Sequence, residues 1–304
     1  MTTKTPLKLT GSFNLVYAYK YIIAYGDGLY VFRKDGTQIF SRNDLKYIYK
    51  VEVLSSNYMI VDCGSKTEYI ILSLVDGKTL HSIKQPRMDY TAPRFSVSKD
   101  KHFVYDYAFL LLQCYVIRID INTMSLCYYK LKEGMRATCD SICDVNGAFC
   151  VLQGQISASN DTVSEYSVWC EDPSNHTYYC KSKWDIPFHP SRIMFLENSN
   201  SIILANSNDL FSYDVSSKSL STNIANTQEF PLEHHFFYCR IINNQYLVLT
   251  YEHSNLVIDK KNGKIIARYF AHFTEGCIVE NEYWICSDNK ILRKPFPVIE
   301  YDST

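Results

Sequence analysis

Seven short apolar segments recur along this chain at intervals that each hold one supersecondary unit. They read YIIAYG, YMIVDC, HFVYDY, AFCVLQ, SIILAN, YLVLTY and YWICSD and begin at Tyr21, Tyr58, His102, Ala148, Ser201, Tyr246 and Tyr283, so the spacings are 37, 44, 46, 53, 45 and 37 residues. Segments of this length, rich in Tyr, Ile and Val, favour the pleated strand over the helix. A period of about 40 to 50 residues accommodates four strands, and a unit of that size cannot bury both of its faces without stacking on a neighbour.

A second register runs beside the first. The turns FRKDGTQIF, LVDGKTL, RIDINTMSL, EDPSNHTYY, SYDVSSKSL and IDKKNGKII are anchored on Asp35, Asp76, Asp120, Asp172, Asp214 and Asp259. An Asp side chain at a turn start accepts hydrogen bonds from amides two or three residues on, and a following Gly supplies the positive φ of a tight hairpin. Together the registers divide each unit into a first strand, a second beginning at the apolar anchor, a third ending at the Asp, and a fourth beyond it. The prediction is an all-β fold, a seven-bladed β-propeller of four-stranded antiparallel blades.

The last unit runs out through Pro295 and Pro297 with no fourth strand of its own. The N-terminal residues 6–11, PLKLTG, are the segment expected to complete it and close the ring, removing an open sheet edge. Residues 1–304 then form a single β-propeller domain. No Gly/Ser-rich or Pro-rich linker divides the chain, and no apolar run approaches the roughly 18 residues of a membrane span.

The first residues, MTTKTPLKLTG, lack the apolar core of a secretory signal, so the eleven cysteines are expected in a reducing compartment, the cytoplasm. Most lie within strand patterns, where Cys packs as a small hydrophobe. Cys139 and Cys143 fall on one predicted strand, which would put both on one face about 13 Å apart, too far for a bridge. A net charge of -1 excludes the strong basic field of a general nucleic-acid binder, and neither nucleic acid nor membrane is an expected partner. No Walker-type or G-x-G-x-x-G segment is present, and no cofactor is expected.

The hairpins LSLVDGKTL (residues 72–80) and LVIDKKNGKII (residues 256–266) resemble the repeat of quinoprotein-like propellers, in which a strand ending in Asp leads through a Gly-Lys turn into the next strand. The tryptophan that closes that repeat is absent, with His81 and Ala267 standing near its place. WD-repeat proteins share the architecture, although their glycine-histidine and tryptophan-aspartate dipeptides do not occur at the expected places. The resemblance implies the fold and a habit of presenting loops around a central channel. It does not imply quinone-dependent dehydrogenase chemistry.

In such propellers one face collects the connections between successive blades and the loops between second and third strands. Along that face the inter-blade connections carry Arg42, Arg87, Arg136, His189 with Arg192, His234 with His235, and His272. A rim of this kind attracts an acidic peptide or a small anion, because converging side chains concentrate field even near zero net charge. One sector is denser: Glu233, His234 and His235, then Glu252 and His253, then His272 and Glu275. Imidazoles and carboxylates in that mixture serve as ligands for a divalent metal (His234, His235, His253, His272) or as general acids and bases (His235, His253, His272, Glu275). Solvated polar loops account for the same residues. Two further loops stand out: YAFLLLQCYVI, residues 107–117, whose turn would expose Leu111, and the polar GQISASNDTVSE, residues 154–165, expected as a long surface loop.

The leading reading is a non-catalytic scaffold that holds a protein or peptide on its loop-rich face, with Arg87, Arg136, His189, Arg192, His234 and Leu111 as contacts. Two alternatives stay open: a hydrolase or lyase with a His/Glu site in the central funnel, and a sensor for a small anion. Propellers host many unrelated activities, so the fold does not choose among them.

Overall fold

Alternation of apolar and polar residues across short Tyr-, Ile- and Val-rich runs leaves little room for anything but sheet, and the computed structural model is all-β. It describes residues 7–9, 11–85, 90–91, 95–98, 100–110, 113–130, 137–145, 148–156, 162–172, 177–185, 193–198, 201–205, 209–214, 216–226, 236–242, 245–270 and 274–296. Among these residues the strands form seven antiparallel sheets, six of them built from strands that follow one another in sequence and the seventh joined by a strand from the N-terminus.

The first sheet orders Phe13–Ala18, Tyr21–Gly26, Leu29–Arg33 and Gln38–Arg42. The second orders Ile48–Val53, Tyr58–Cys63, Glu68–Ser73 and Thr79–Lys84. The fourth runs Ala137–Val145, Ala148–Ile156, Thr162–Asp172 and Thr177–Asp185; the fifth runs Ile193–Asn198, Ser201–Ala205, Asp209–Asp214 and Ser219–Asn226. The sixth runs Phe236–Ile242, Tyr246–Tyr251, Ser254–Asp259 and Ile265–Phe270. The seventh takes Cys277–Val279, Glu282–Ser287 and Lys290–Pro295, and its fourth strand is Leu7–Lys8 from the N-terminus.

The third sheet departs from the expected four strands. Tyr90–Thr91 and Ser96–Val97 both pair with Phe103–Leu110, so the first strand comes in two pieces ahead of Gln113–Asp120 and Ser125–Lys130. The sequence between the pieces contains Pro93, which has no N–H to give to a ladder. The polar stretch 154–165 is another departure: the ladder continues through Gly154↔Ser164 to Ile156↔Thr162, so strands fill most of the expected loop. Backbone groups make the ladder, and polar side chains do not prevent it. A register shift falls between Cys139 and Ser141 where Ala137–Val145 pairs with Ala148–Ile156, and the side chains of Cys139 and Cys143 lie outside the described ones.

Every aspartate hairpin with described turn atoms uses the expected chemistry. The Thr37 N–H donates to Asp35 Oδ1 at 2.8 Å, the Asn122 and Thr123 N–H groups to Asp120 Oδ1 at 2.8 and 3.1 Å, and the Ser217 N–H to Asp214 Oδ1 at 2.7 Å. The same bond runs from the Lys78 N–H to Asp76 Oδ1 at 3.3 Å and from the Lys261 N–H to Asp259 Oδ1 at 3.0 Å. Donors aimed at an ionised carboxylate favour the charged form. Hydrogen bonds from Ser73 and Lys78 bring Asp76 down to about 2, and those from Ser216 and Ser217 do the same for Asp214.

The chain divides into two compact units, residues 1–82 with 232–304, and residues 83–231. In the first unit the apolar faces stack in series. Val16, Ile23, Val31, Val51, Met59, Val61 and Ile70 seal the first sheet to the second. Phe13, Leu15, Phe32, Trp284, Cys286 and Ile291 seal the first to the seventh, and Val248, Val257, Tyr283, Ile285 and Phe296 seal the sixth to the seventh. In the second unit, Ala137–Val145 lies beside both Ser96–Val97 and Ile193–Asn198.

Candidate functional site

Two groups of side chains in the first unit occupy the end of the strands where one sheet leads into the next. The first is a buried polar network. Asn255, at the start of the third strand of the sixth sheet, is fully buried, and its Oδ1 accepts from Thr250 Oγ1 at 3.0 Å and from the Tyr283 hydroxyl at 3.2 Å. Its Nδ2 donates to the Thr274 carbonyl at 2.9 Å, and Thr274 Oγ1 donates to the Cys286 carbonyl at 2.8 Å. Glu275 continues the chain of contacts: its N–H donates to Asn14 Oδ1 at 2.8 Å and its carbonyl accepts from the Leu15 N–H at 2.8 Å. Loop backbone between the sixth and seventh sheets is thereby fixed to side chains on both sides of it, as buried polar groups require.

Glu275, one of the sequence candidates for acid/base work, is 2% exposed at this point. His253 lies at the same strand end with its side chain 63% exposed, Nε2 3.6 Å from Glu252 Oε1. His234, His235, His272, His189, Arg87, Arg136, Arg192 and Leu111 lie outside the described residues. The second and third strands of the third sheet pair as far as Leu110↔Gln113, and the turn expected to expose Leu111 lies outside the described residues. Among the described residues no three His, Cys, Asp or Glu side chains gather as a metal site would require.

The second group is a surface platform on the second sheet. It is built from residues 42–49, which lead into the first strand, and residues 63–67, which join the second strand to the third. Arg42 is not a free rim cation. Its Nε and Nη2 grip Asp44 at 2.7 Å each, while Nη1 donates to the Gly77 carbonyl at 2.7 Å. That fork holds the Asp44 carboxyl well below the usual carboxylate range. Lys66 Nζ reaches the same carboxylate at 3.3 Å.

Inside this frame the backbone is irregular. Tyr47 sits in the left-handed region at φ 53°, uncommon for a bulky residue. The register then slips from Ile48↔Cys63 to Lys50↔Asp62, leaving Tyr49 as an extra residue in a β-bulge. Hydrogen bonds from the Gly64 N–H to the Tyr47 carbonyl at 2.9 Å and from the Ser65 N–H to the Lys46 carbonyl at 3.1 Å lock the two loops together. A Cβ on residue 64 would collide with the Tyr49 ring, so Gly64 gives that ring its seat. Tyr47 and Tyr49 both end 60% exposed. Behind them Lys50 Nζ and Asp62 Oδ2 form a buried pair at 3.4 Å, which cancels charge beneath the platform. Strand periodicity does not reveal this platform; of its residues the sequence singles out Arg42, in the inter-blade connection.

The sheet order and strand pairing are those of a β-propeller. No protein-family model matches the chain, and no curated protein sequence does. Solved structures match it along nearly its whole length. The β-propeller domain of Myceliophteria thermophila Cps50 (Swd1) aligns with a TM-score of 0.64 at 12% identity, over 97% of this chain and 100% of that one. Kuenenia stuttgartiensis hydrazine synthase aligns with a TM-score of 0.64 at 9% identity, over 97% and 98%. At such identities the likeness is one of fold, shared by the Cps50 (Swd1) β-propeller domain and hydrazine synthase alike. No helix among the described residues is long and apolar enough to cross a membrane.

Proposed function

We propose that this chain is a non-catalytic binding module of the cytoplasm. In this reading residues 1–304 form one seven-bladed propeller, closed by the N-terminal strand, which holds a protein or peptide on the face carrying the inter-blade connections. One observation carries the reading: the described part of that face ends in two ordered, exposed tyrosines, Tyr47 and Tyr49, framed by lysines. Tyrosine supplies large contact area at low entropic cost and is enriched where partners dock. The general use of WD-repeat propellers as interaction scaffolds agrees with it.

The rival reading, a hydrolase or lyase, draws on the burial of Glu275 at the strand end that also bears His253. Chemical cross-linking of the native protein in cell extract separates the two. A stoichiometric protein partner, with cross-links to residues 42–49 and 63–67 and unaffected by Glu275→Gln with His253→Ala, supports the scaffold. Turnover of any substrate panel that is abolished by those substitutions, with no partner cross-linked, overturns it.

A further inference from the structure

We infer that the surface formed by Lys46, Tyr47, Tyr49 and Lys66 docks an acidic peptide segment of a partner protein. The inference rests on the scaffold reading and names the chemistry of its partner. Three observations independent of one another converge on it.

The first is pre-organisation. Exposed tyrosines ordinarily swing freely, but here Tyr49 is seated on Gly64 and the backbone of Tyr47 is held by the Gly64 N–H. Binding therefore costs little further ordering at these rings. The second is placement. A left-handed Tyr47 and a bulge at Tyr49, on either side of buried Ile48, turn two ring-bearing residues outward within three positions. The third is charge. Arg42, Lys46 and Lys66 share the platform with one carboxylate, Asp44, which is already gripped by Arg42 and approached by Lys66. Glu68, the nearest other carboxylate in register, is turned to Ser82 Oγ at 2.6 Å on the fourth strand. Counting it as well, the surface keeps a positive excess, because Lys50 and Asp62 neutralise each other below.

Ring faces flanked by cations complement a peptide that alternates carboxylates with apolar side chains: the rings take the apolar groups and the lysines take the carboxylates. A basic peptide is repelled. Single-stranded RNA shares the aromatic and anionic chemistry, but the chain's net charge of -1 gives it no wider electrostatic track.

The test uses the full-length protein and fluorescence anisotropy with three probes: a short labelled peptide alternating glutamate and leucine with one phenylalanine, its glutamine counterpart, and an oligouridylate. The expected result is binding of the glutamate peptide that weakens by about tenfold or more in Tyr47→Asn with Tyr49→Ser and in Lys46→Glu with Lys66→Glu, with Tyr49→Phe retaining it. Asn is chosen at residue 47 because it tolerates the left-handed conformation, and thermal melts establish that each variant is folded. Equal binding by the surface variants overturns this surface and leaves the scaffold reading standing. Equal binding of the glutamine peptide, or preferential binding of oligouridylate, overturns the acidic-peptide chemistry. No peptide binding by the native protein also overturns it, and the cross-linking experiment then judges the scaffold reading separately.

Discussion

Leu7 stands opposite Ile291 in the seventh sheet, so residues near the two ends of the chain complete one ladder. The Leu9 N–H donates to the Asn289 carbonyl at 2.8 Å and the Gly11 N–H to Asn289 Oδ1 at 2.9 Å, while the Leu9 side chain is buried against Phe13 and Ile291. Deleting residues 1–11 removes that burial and bares the edge of Lys290–Pro295. The expected loss is about 3 kcal/mol, a fall in Tm of roughly 5–10 °C, with aggregation on heating. A truncated chain that melts like the full one removes the closure account.

Fully buried Asn255 holds four partners, Thr250, Tyr283, the Thr274 carbonyl and, at 3.4 Å, the Gly276 N–H, so replacing it strands several of them at once. Asn255→Ala should cost about 3 kcal/mol in urea unfolding, and Tyr283→Phe about 1 kcal/mol. The two effects should be non-additive, because Asn255→Ala alone already removes the acceptor of the Tyr283 hydroxyl.

Arg293 lies 4.1 Å over the Trp284 ring and donates from Nη2 to the Asp35 carbonyl at 3.1 Å, joining the seventh sheet to the first. Gly36, at φ 92°, makes room for that guanidinium; any Cβ there meets Nη2. Gly36→Ala should therefore destabilise by about 2 kcal/mol and alter Trp284 fluorescence, whereas Gly263→Ala, also at positive φ, should perturb stability without the fluorescence change.

The hairpin aspartates give stability a defined acid limb. Asp76 and Asp214 titrate near 2 in the folded chain, below the ordinary carboxylate value, so folding favours their ionised forms. Their contribution is complete above about pH 4 and is lost as pH falls towards 2. Asp76→Asn with Asp214→Asn should flatten the stability profile between pH 4 and 2 in denaturant titrations, approximately, and leave the neutral side of the curve parallel to the native one.

Cysteine reactivity should follow burial. Cys286 is enclosed between the first and seventh sheets, and that burial pushes its thiol up to about 11. Cys63 and Cys277 are buried as well, whereas Cys127 is exposed. Mass spectrometry after brief alkylation at neutral pH should find Cys127 modified well ahead of Cys63, Cys277 and Cys286. Fast labelling of Cys286 in the folded protein would contradict the packing of Trp284 against Phe13.

Most of the strand pattern was legible in the residues. Tyr21, Tyr58, Ala148, Ser201 and Tyr246 each open the second strand of a sheet, and the anchors at His102 and Tyr283 miss by a single residue. The aspartate turns were legible for a related reason, since both signals are local and period-two alternation survives in any ladder. What escaped was whatever breaks that period. The bulge at Tyr49 and the left-handed Tyr47 leave no mark in alternation, yet they form the platform. Polar content likewise disguised the strands around Gly154 and Ser164 as loop. Glu275 was visible as an ionisable residue, but its burial depends on Asn14, distant in sequence and adjacent only once the first and seventh sheets meet.

Tyr49 and Tyr19 allow the binding account to be tested directly. They are 60% and 52% exposed, but Tyr49 lies at the end where sheets connect and Tyr19 in the turn between the first two strands of the first sheet, at the opposite strand end. A photo-crosslinking amino acid placed at each position in turn, activated in living cells, should yield a discrete protein adduct at residue 49 and none at residue 19. Adducts at residue 19 alone, or the same adducts at both, would contradict the assignment of binding to the loop-rich end.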